Sequence, residues 1–490
     1  MANNDQFLYT LFSEQVGVGC ADLMTAPIIN SDIAPKSPKL ETPNPDGNAA
    51  GKAPEHTDSQ TDYGNLFVRL YYPTSPFTPD PTSDAASLPL FPVEHRDEYA
   101  NGLGQLGRLY PVVGRLVGWF VGRKIRKWAE NVRVPVRWHA PLDVADDVPL
   151  NVVVLSPGYT GTRFLQTGLA VALVREHRFV VVVLEHGDGS AAWSYRPPTE
   201  PSIPLKTEHA RFTFRIDQMD DLFAPLVRSR AREIARCCDR LLPAVNDGAV
   251  AADGLTIGGD FDWLQFKHRL NVVSVFGVGH SLGATAMLQT IADGPAMFLT
   301  DGAAQSIAES RVPILMVNAD ENTMNAVDHR IQFMRDVRRL ANQCAAPKSS
   351  SSANHDETAQ HSHSRIRMCT ITNAKHFAFC DLSRCFPQWS GTADLAAADK
   401  LTAACIHEFT AYFPTLDAVG TSAATVGTSA ATVGTSAATV GTSAATVETP
   451  ATTREWPSAE FRQQYDSHVA FPVTVNVRNQ LRSTTEVDAI

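Results

Sequence analysis

The sequence predicts an α/β fold: a mostly parallel, doubly wound sheet covered by helices, in one main domain. Three observations predict it. Runs such as Val152-Val153-Val154-Leu155 and Phe179–Leu184 are nearly continuous in apolar, mostly β-branched residues, the pattern of strands buried on both faces. The stretches between such runs have helical spacing, so strand and helix alternate. The chain has 490 residues, 44% of them hydrophobic and 19% charged, which is enough for a large buried core.

Taken in order, the expected strands are Phe67–Tyr72, Val152–Leu155, Phe179–Glu185, Val272–Phe276, Ala296–Thr300, Ile314–Asn318 and Arg367–Thr372. His209–Val245 is Arg-rich with apolar residues at helical spacing, so it reads as helix broken near Pro225. Residues 1–15 form a lead, and the main domain spans 16–413. Within it, residues 30–62 and 342–364 are rich in polar and turn-forming residues and read as solvated loop insertions. Residues 420–447 are four copies of Gly-Thr-Ser-Ala-Ala-Thr-Val. They lack a Leu-rich seam and carry a helix-weakening glycine in each copy, so 414–450 reads as a low-complexity linker. Residues 451–490 are a tail of mixed composition.

Composition excludes several classes of function. The net charge is −10, with a pI of about 5.8, which argues against nucleic acid as partner, because phosphate contacts need clustered Lys and Arg. None of the eight cysteines forms a Cys-x-x-Cys pair, and most are expected to be free thiols. The first residues lack the basic and apolar regions of a secretory signal, residue 2 is not Gly, and no apolar run approaches the ~20 residues that span a bilayer. The expected location is the cytoplasm.

The chemistry centres on Gly279-His280-Ser281-Leu282-Gly283. A strand is expected to precede it and a helix, Ala284–Ile291, to follow. A Gly-x-Ser-x-Gly run in that context is a nucleophile elbow, and the glycines remove β-carbons that would crowd the strand and helix. The helix N-terminus behind Ser281 favours developing negative charge. His280 reads as a packing residue. A serine hydroxyl needs a base, which a carboxylate orients, in the chain order Ser, Asp or Glu, His. His376 directly follows the last strand run and is the expected base. Asp301 and Asp320 each end a strand and are both acceptable as the acid. The oxyanion donors are expected to be the N–H groups of Leu282 and of Tyr159, the latter in the turn 156–161. His355, His361 and His363 lie in the polar insertion and read as loop residues, so no metal site and no cofactor are expected.

Several separate stretches together resemble the platelet-activating factor acetylhydrolases of the plasma and intracellular type II family, which are α/β-hydrolases. They are Val16–Met24, Leu66–Pro73, the turn at 156–161, Glu185-His186-Gly187-Asp188-Gly189-Ser190-Ala191 and Gly279–Gly283. The resemblance covers roughly residues 16–413 outside the insertions. It favours Asp301, in Thr300-Asp301-Gly302, as the acid and maps the base onto His376. In the turn, Pro157 stands where the family usually has histidine. The resemblance implies calcium-independent hydrolysis of short or oxidised sn-2 acyl esters of phospholipids, and no Asp-rich calcium loop is present.

Arg115–Trp128 combines Trp119, Phe120 and Trp128 with five basic residues. An amphipathic basic helix with aromatics can lie in a lipid interface, so these three are the candidate membrane contacts. Peripheral membrane association and a phospholipid substrate are the expected partnerships.

Overall fold

The computed structural model describes residues 16–25, 66–77, 87–105, 114–144, 149–194, 203–204, 219–250, 254–257, 261–291, 314–319, 366–371, 374–386, 395–412, 458–465 and 469–470. The chain divides into two compact units. One comprises Gly17–Phe164 with Val180–Thr290, and the other Met1–Val16, Leu165–Phe179 and Ile291–Ile490.

The first unit is built on a seven-stranded mixed sheet. Its strands are β1 (Gly17–Thr25), β2 (Phe67–Thr74), β5 (Arg137–Trp138), β6 (Leu150–Ser156), β7 (Val180–Glu185), β10 (Gly254–Ile257) and β11 (Leu270–Gly279). The order is β10-β1-β2-β7-β6-β11, with β5 paired to β1. The pairs β6–β7 and β6–β11 are parallel, whereas β1 and β2 run antiparallel to each other and β2 to β7. Short strands β3 (Leu88–Pro89) and β4 (Arg133–Val134) pair with each other, as do β8 (Trp193–Ser194) and β9 (Ile203–Pro204). Strands β6 and β7 are almost wholly buried, as their unbroken valine runs require. The register sets Gly279 beside Ser156, so the two strands end at one level.

Strand β1 departs from the sequence expectations, which placed no strand there. Its Gly, Ala and Asp residues are poor strand formers, and tertiary pairing on both edges overrides that preference. Asp22 on β1 explains the register. Its carboxylate takes Arg69 Nε at 2.6 Å and Arg69 Nη2 at 2.8 Å, a two-pronged pair. Arg163 Nη2 lies 3.4 Å from the same carboxylate, and Arg163 Nη1 lies 2.9 Å from Glu185 Oε1. Burial pushes the Asp22 carboxyl up, but Arg69 and Arg163 outweigh it and hold it below the usual range. Arg163 is fully buried, its guanidinium 3.9 Å from the Phe67 ring centre and 4.2 Å from that of Phe164.

Helices α1 (Arg96–Gly104) and α2 (Gly114–Asn131) pack together through glycine. A β-carbon on Gly104 would stand 2.6 Å from the Gly118 carbonyl oxygen and 3.0 Å from the Gly122 Cα. The far side of α2 faces solvent, with Leu116, Trp119 and Phe120 each more than half exposed. Helix α4 (Met219–Arg236) runs through Pro225 without the break expected there. Pro225 lies in its second turn, where one lost hydrogen bond is tolerated. The chain then makes a π turn at Cys237–Leu241 and continues as α5 (Leu242–Asp247). Helix α6 (Leu282–Ile291) follows β11.

In the second unit, β12 (Ile314–Ala319) pairs in parallel with β13 (Ile366–Ile371). The tail contributes α9 (Ala459–Tyr465) and β14 (Val469–Ala470), which adds antiparallel to β13. Phe461 of α9 is buried with Ile371, Leu401 and Cys405. Helix α3 (Thr167–His177) packs on α8 (Leu395–Tyr412), where His177 stacks on His407 at 4.2 Å. Burial, helped by His407, pushes His177 down to about 3, so it packs as a neutral ring. Asp381, just before α7 (Leu382–Cys385), accepts the Gly168 N–H at 3.1 Å and pairs with Arg384, which also pairs with Asp399.

The expected strands at 67, 152, 179, 272, 314 and 367 are observed to within a few residues. Ala296–Thr300, both polar insertions and the heptapeptide repeats lie outside the described residues. All six cysteines with described side chains carry free thiols.

Removing Arg163 takes the cation from the buried Glu185 carboxylate and leaves Asp22 to Arg69 alone. Arg163→Met is expected to cost about 3–5 kcal/mol in unfolding free energy, measured by urea titration. A loss under ~1 kcal/mol would show that the cluster does not hold the sheet.

Candidate active site

Strand β11 ends at Gly279, α6 begins at Leu282, and the whole turn is made by His280 and Ser281. Ser281 has φ +54°, in the left-handed region that costs a residue with a β-carbon about 1–2 kcal/mol. Neighbouring packing holds it there. The Ala284 and Thr285 N–H groups donate to the Ser281 carbonyl at 3.0 and 3.3 Å, and Gly283 N–H donates to the His280 carbonyl at 2.9 Å. A β-carbon on Gly279 would lie 2.5 Å from the Gly283 carbonyl carbon. One on Gly283 would lie 2.6 Å from the Pro157 carbonyl oxygen and closer still to that of Ser156. The two glycines are therefore required by contact as well as by the turn. The arrangement sets a half-buried serine side chain at a helix start, where the Leu282 N–H is among the donors that no helical carbonyl reaches.

The turn after β6 lies against this elbow. Ser156 accepts the His280 N–H on its carbonyl at 3.1 Å, and a β-carbon on Gly158 would stand 3.1 Å from both His280 Nδ1 and Ser281 Cβ. Thr160 also has positive φ, +57°. It is held on both sides, its N–H donating to the Ser190 carbonyl at 3.0 Å and its carbonyl accepting the Ala192 N–H at 3.1 Å. The Tyr159 ring meets the Phe223 ring edge-on at 5.4 Å.

Beneath the turn lie two buried polar assemblies. In the first, Arg230 of α4 is fully buried. Its Nε donates to Asp188 Oδ2 at 2.8 Å, and its Nη1 donates to the Pro157 carbonyl at 2.8 Å and the Gly158 carbonyl at 3.4 Å. Its Nη2 reaches Ser190 Oγ and, at 3.5 Å, the Gly158 carbonyl. Asp188 also accepts the Ser190 N–H at 2.9 Å. Burial raises the Asp188 carboxyl, but Arg230 and the bonds from Ser190 outweigh it, bringing it to about 2. In the second assembly, Ser156 Oγ is 2.8 Å from His186 Nε2, and His186 Nδ1 is 2.5 Å from Glu233 Oε2. Glu233 also accepts the Gly187 N–H at 3.1 Å.

Ser281, Leu282 and the turn bearing Tyr159 are thus brought together in the first unit. His376 opens a 3-10 turn, His376–Phe379, in the second unit, a few residues past β13. Asp301 and Asp320 lie outside the described residues. On α2, Trp119 and Phe120 are exposed with ring centres 4.8 Å apart, and Arg123 lies over Trp119. Trp128 is only partly exposed. Sequence reasoning assigned no role to Arg230, Glu233, Ser156 or His186. The signal was two charges three apart on one helix, Arg230 and Glu233, which share a face and here face inward.

The family model for platelet-activating factor acetylhydrolase, isoform II, matches residues 36–393. The chain belongs to this family. Curated relatives named platelet-activating factor acetylhydrolase, from Bos taurus and Canis lupus familiaris, are each 26% identical over 242 residues, 48% of this chain and 49% of theirs. One of the same name from Cavia porcellus is 26% identical over 240 residues, 48% of this chain and 50% of its own. The chain thus spans about half the length of the curated relatives it matches. Among solved structures, a ferulic acid esterase from Streptomyces cinnamoneus aligns with a TM-score of 0.43 at 15% identity, covering 83% of this chain and 92% of that one. The elbow and the turn at 156–161 are two of the five stretches that resemble this family.

Two outcomes follow from this geometry. Gly283→Ala forces a methyl group into the Ser156–Pro157 backbone, and reaction of Ser281 with a fluorophosphonate probe is expected to slow at least ~10-fold, with overpacking lowering stability by about 1–3 kcal/mol. The Asp188 carboxyl sits lower folded, at about 2, than its unfolded value of about 4. Its stabilising contribution is therefore present above about pH 4 and lost as the pH falls toward about 2. The stability gap between the wild type and Asp188→Asn, measured by urea titration, is expected to be largest at neutral pH and to shrink across that window.

Proposed function

We propose that the chain is a serine esterase that hydrolyses the short or oxidised sn-2 acyl ester of phospholipids such as platelet-activating factor, without calcium. The observation that carries the reading is Ser281 held at φ +54° on a strand-to-helix corner, with the β6 turn packed against it. Family membership supports the ester and the phospholipid. In this reading His376 takes the proton as Ser281 Oγ attacks the sn-2 carbonyl carbon, and Asp301 orients His376. The Leu282 and Tyr159 N–H groups hold the oxyanion. The lyso-phospholipid leaves with a proton from His376, and a water activated by His376 then releases the acyl group as carboxylate.

Substrate in this reading is met at a lipid surface. The face of α2 running from Leu116 through Trp119 and Phe120 to Arg123 and Lys127 is exposed, apolar at one end and basic at the other. That composition suits shallow insertion beside anionic headgroups. Arg126 is engaged with Asp97 of α1 at 2.8 Å, and the exposed basic end carries Arg123 and Lys127. No helix among the described residues is long and apolar enough to cross a membrane. A cytoplasmic location with peripheral membrane contact is part of the proposed reading, and the exposed face of α2 is what supports the membrane contact.

The test is turnover of phosphatidylcholines that differ only in sn-2 chain length, against soluble p-nitrophenyl esters. A steep preference for 2-acetyl phospholipid, abolished in Ser281→Ala, is the expected result. Equal turnover of the soluble esters and no chain-length preference would make the protein a general carboxylesterase. A Ser281 inert to fluorophosphonate would remove the enzyme reading altogether.

A further inference from the structure

We propose that Arg230 is the positioning residue of the oxyanion hole: by bonding the Pro157 and Gly158 carbonyls, it fixes the peptide planes of the turn and aims the Tyr159 N–H at the Ser281 site. The inference rests on the reading of Ser281 as nucleophile and of the 156–161 turn as oxyanion donor.

In a trans peptide the C=O and the following N–H point in opposite directions, so fixing one fixes the other. Arg230 Nη1 draws the Pro157 carbonyl at 2.8 Å, and both its Nη atoms approach the Gly158 carbonyl, at 3.4 and 3.5 Å. Gly161 N–H donates to the Gly158 carbonyl from the same turn at 3.0 Å. With both carbonyls held to one side, the N–H groups of residues 158 and 159 face the other. Gly158 is also the residue whose missing β-carbon abuts Ser281 Cβ. Pro157 has no N–H, so the turn's donors begin at Gly158.

The guanidinium itself has no freedom to drift. Asp188 holds its Nε, Ser190 Oγ accepts from its Nη2, and Asp188 binds the Ser190 N–H in turn. Ser190 closes the ring by accepting the Thr160 N–H on its carbonyl. A full-length planar fork is needed to meet a carboxylate and two carbonyls at once, and lysine offers only a point charge. The residue is buried, so it touches no substrate and acts through the turn.

The experiment compares the wild type with Arg230→Lys and with the double variant Arg230→Met/Asp188→Asn, which removes both buried charges together. Three quantities are read: kcat and KM on p-nitrophenyl acetate, the Ki of a trifluoromethyl ketone that adds to the serine as a tetrahedral oxyanion, and the thermal melt. Loss of an oxyanion donor lowers kcat by ~10²–10³-fold. The double variant is expected to show a loss of that order with KM within ~3-fold, and the ketone Ki is expected to rise by the same factor as kcat falls. Arg230→Lys is expected to fall between it and the wild type on both readouts. A folded variant that keeps kcat within ~2-fold, or loses kcat with no parallel loss of ketone affinity, overturns the proposal. Should the double variant fail to melt cooperatively, Arg230→Lys decides on the same readouts. A wild type that cleaves no ester and leaves fluorophosphonate unreacted overturns the esterase reading and this proposal together. An active wild type with insensitive Arg230 variants overturns this one alone.

Discussion

Strands β6 and β11 lie side by side in parallel, and the backbone just past each of them presses on the other. Gly283 sits where any side chain would strike the Ser156 and Pro157 carbonyls, and Gly158 abuts His280 and Ser281. The pairing of Gly279 with Ser156 decides this contact, since a slip of one residue would move every side chain on β11 to the opposite face. The serine corner, the helix start behind it and the turn beside it are consequences of that single close approach.

Buried charge does the rest of the ordering, in two separate places. Arg163 ties β1, β2 and β7 together through Asp22 and Glu185, while Arg230 ties the turn after β6 to the loop after β7. Such pairs are seldom the most stable filling for a core, because two ions must leave water. Their advantage is direction. A hydrophobic cluster accepts many small displacements, whereas a guanidinium bonded to a carboxylate and two carbonyls accepts few. The Ser156–His186–Glu233 chain works in the same manner with a neutral donor at one end.

Much of this was legible in the sequence. The valine runs of β6 and β7 announce strands buried on both faces, and the glycine spacing around Ser281 announces a tight corner. Strand β1 was not legible, because Gly17, Gly19 and Asp22 carry no strand preference and its place is set by partners distant in sequence. Arg230 was hidden for a related reason. An arginine on an Arg-rich amphipathic helix reads as solvated, and only the fold reveals that this one points inward to carbonyls more than 70 residues away. Pro225 misled in the opposite sense, since a proline early in a helix leaves enough of the ladder intact to continue. The tail's docking through Phe461 rests on one aromatic in a polar context, too little for periodicity to detect.

The left-handed backbone at residue 281 also sets the cost of each amino acid that could stand there. Threonine carries the same hydroxyl as serine, and as a nucleophile in water the two differ little. At φ +54° a second substituent on the β-carbon is pressed against its own main chain, and β-branched residues are outliers in that region. The corner therefore favours serine, or cysteine, which has the same branching, over threonine, which this chain holds in that region at Thr160 with both of its backbone groups bonded. A lineage carrying this fold can exchange oxygen for sulfur at the position more readily than it can gain one methyl group.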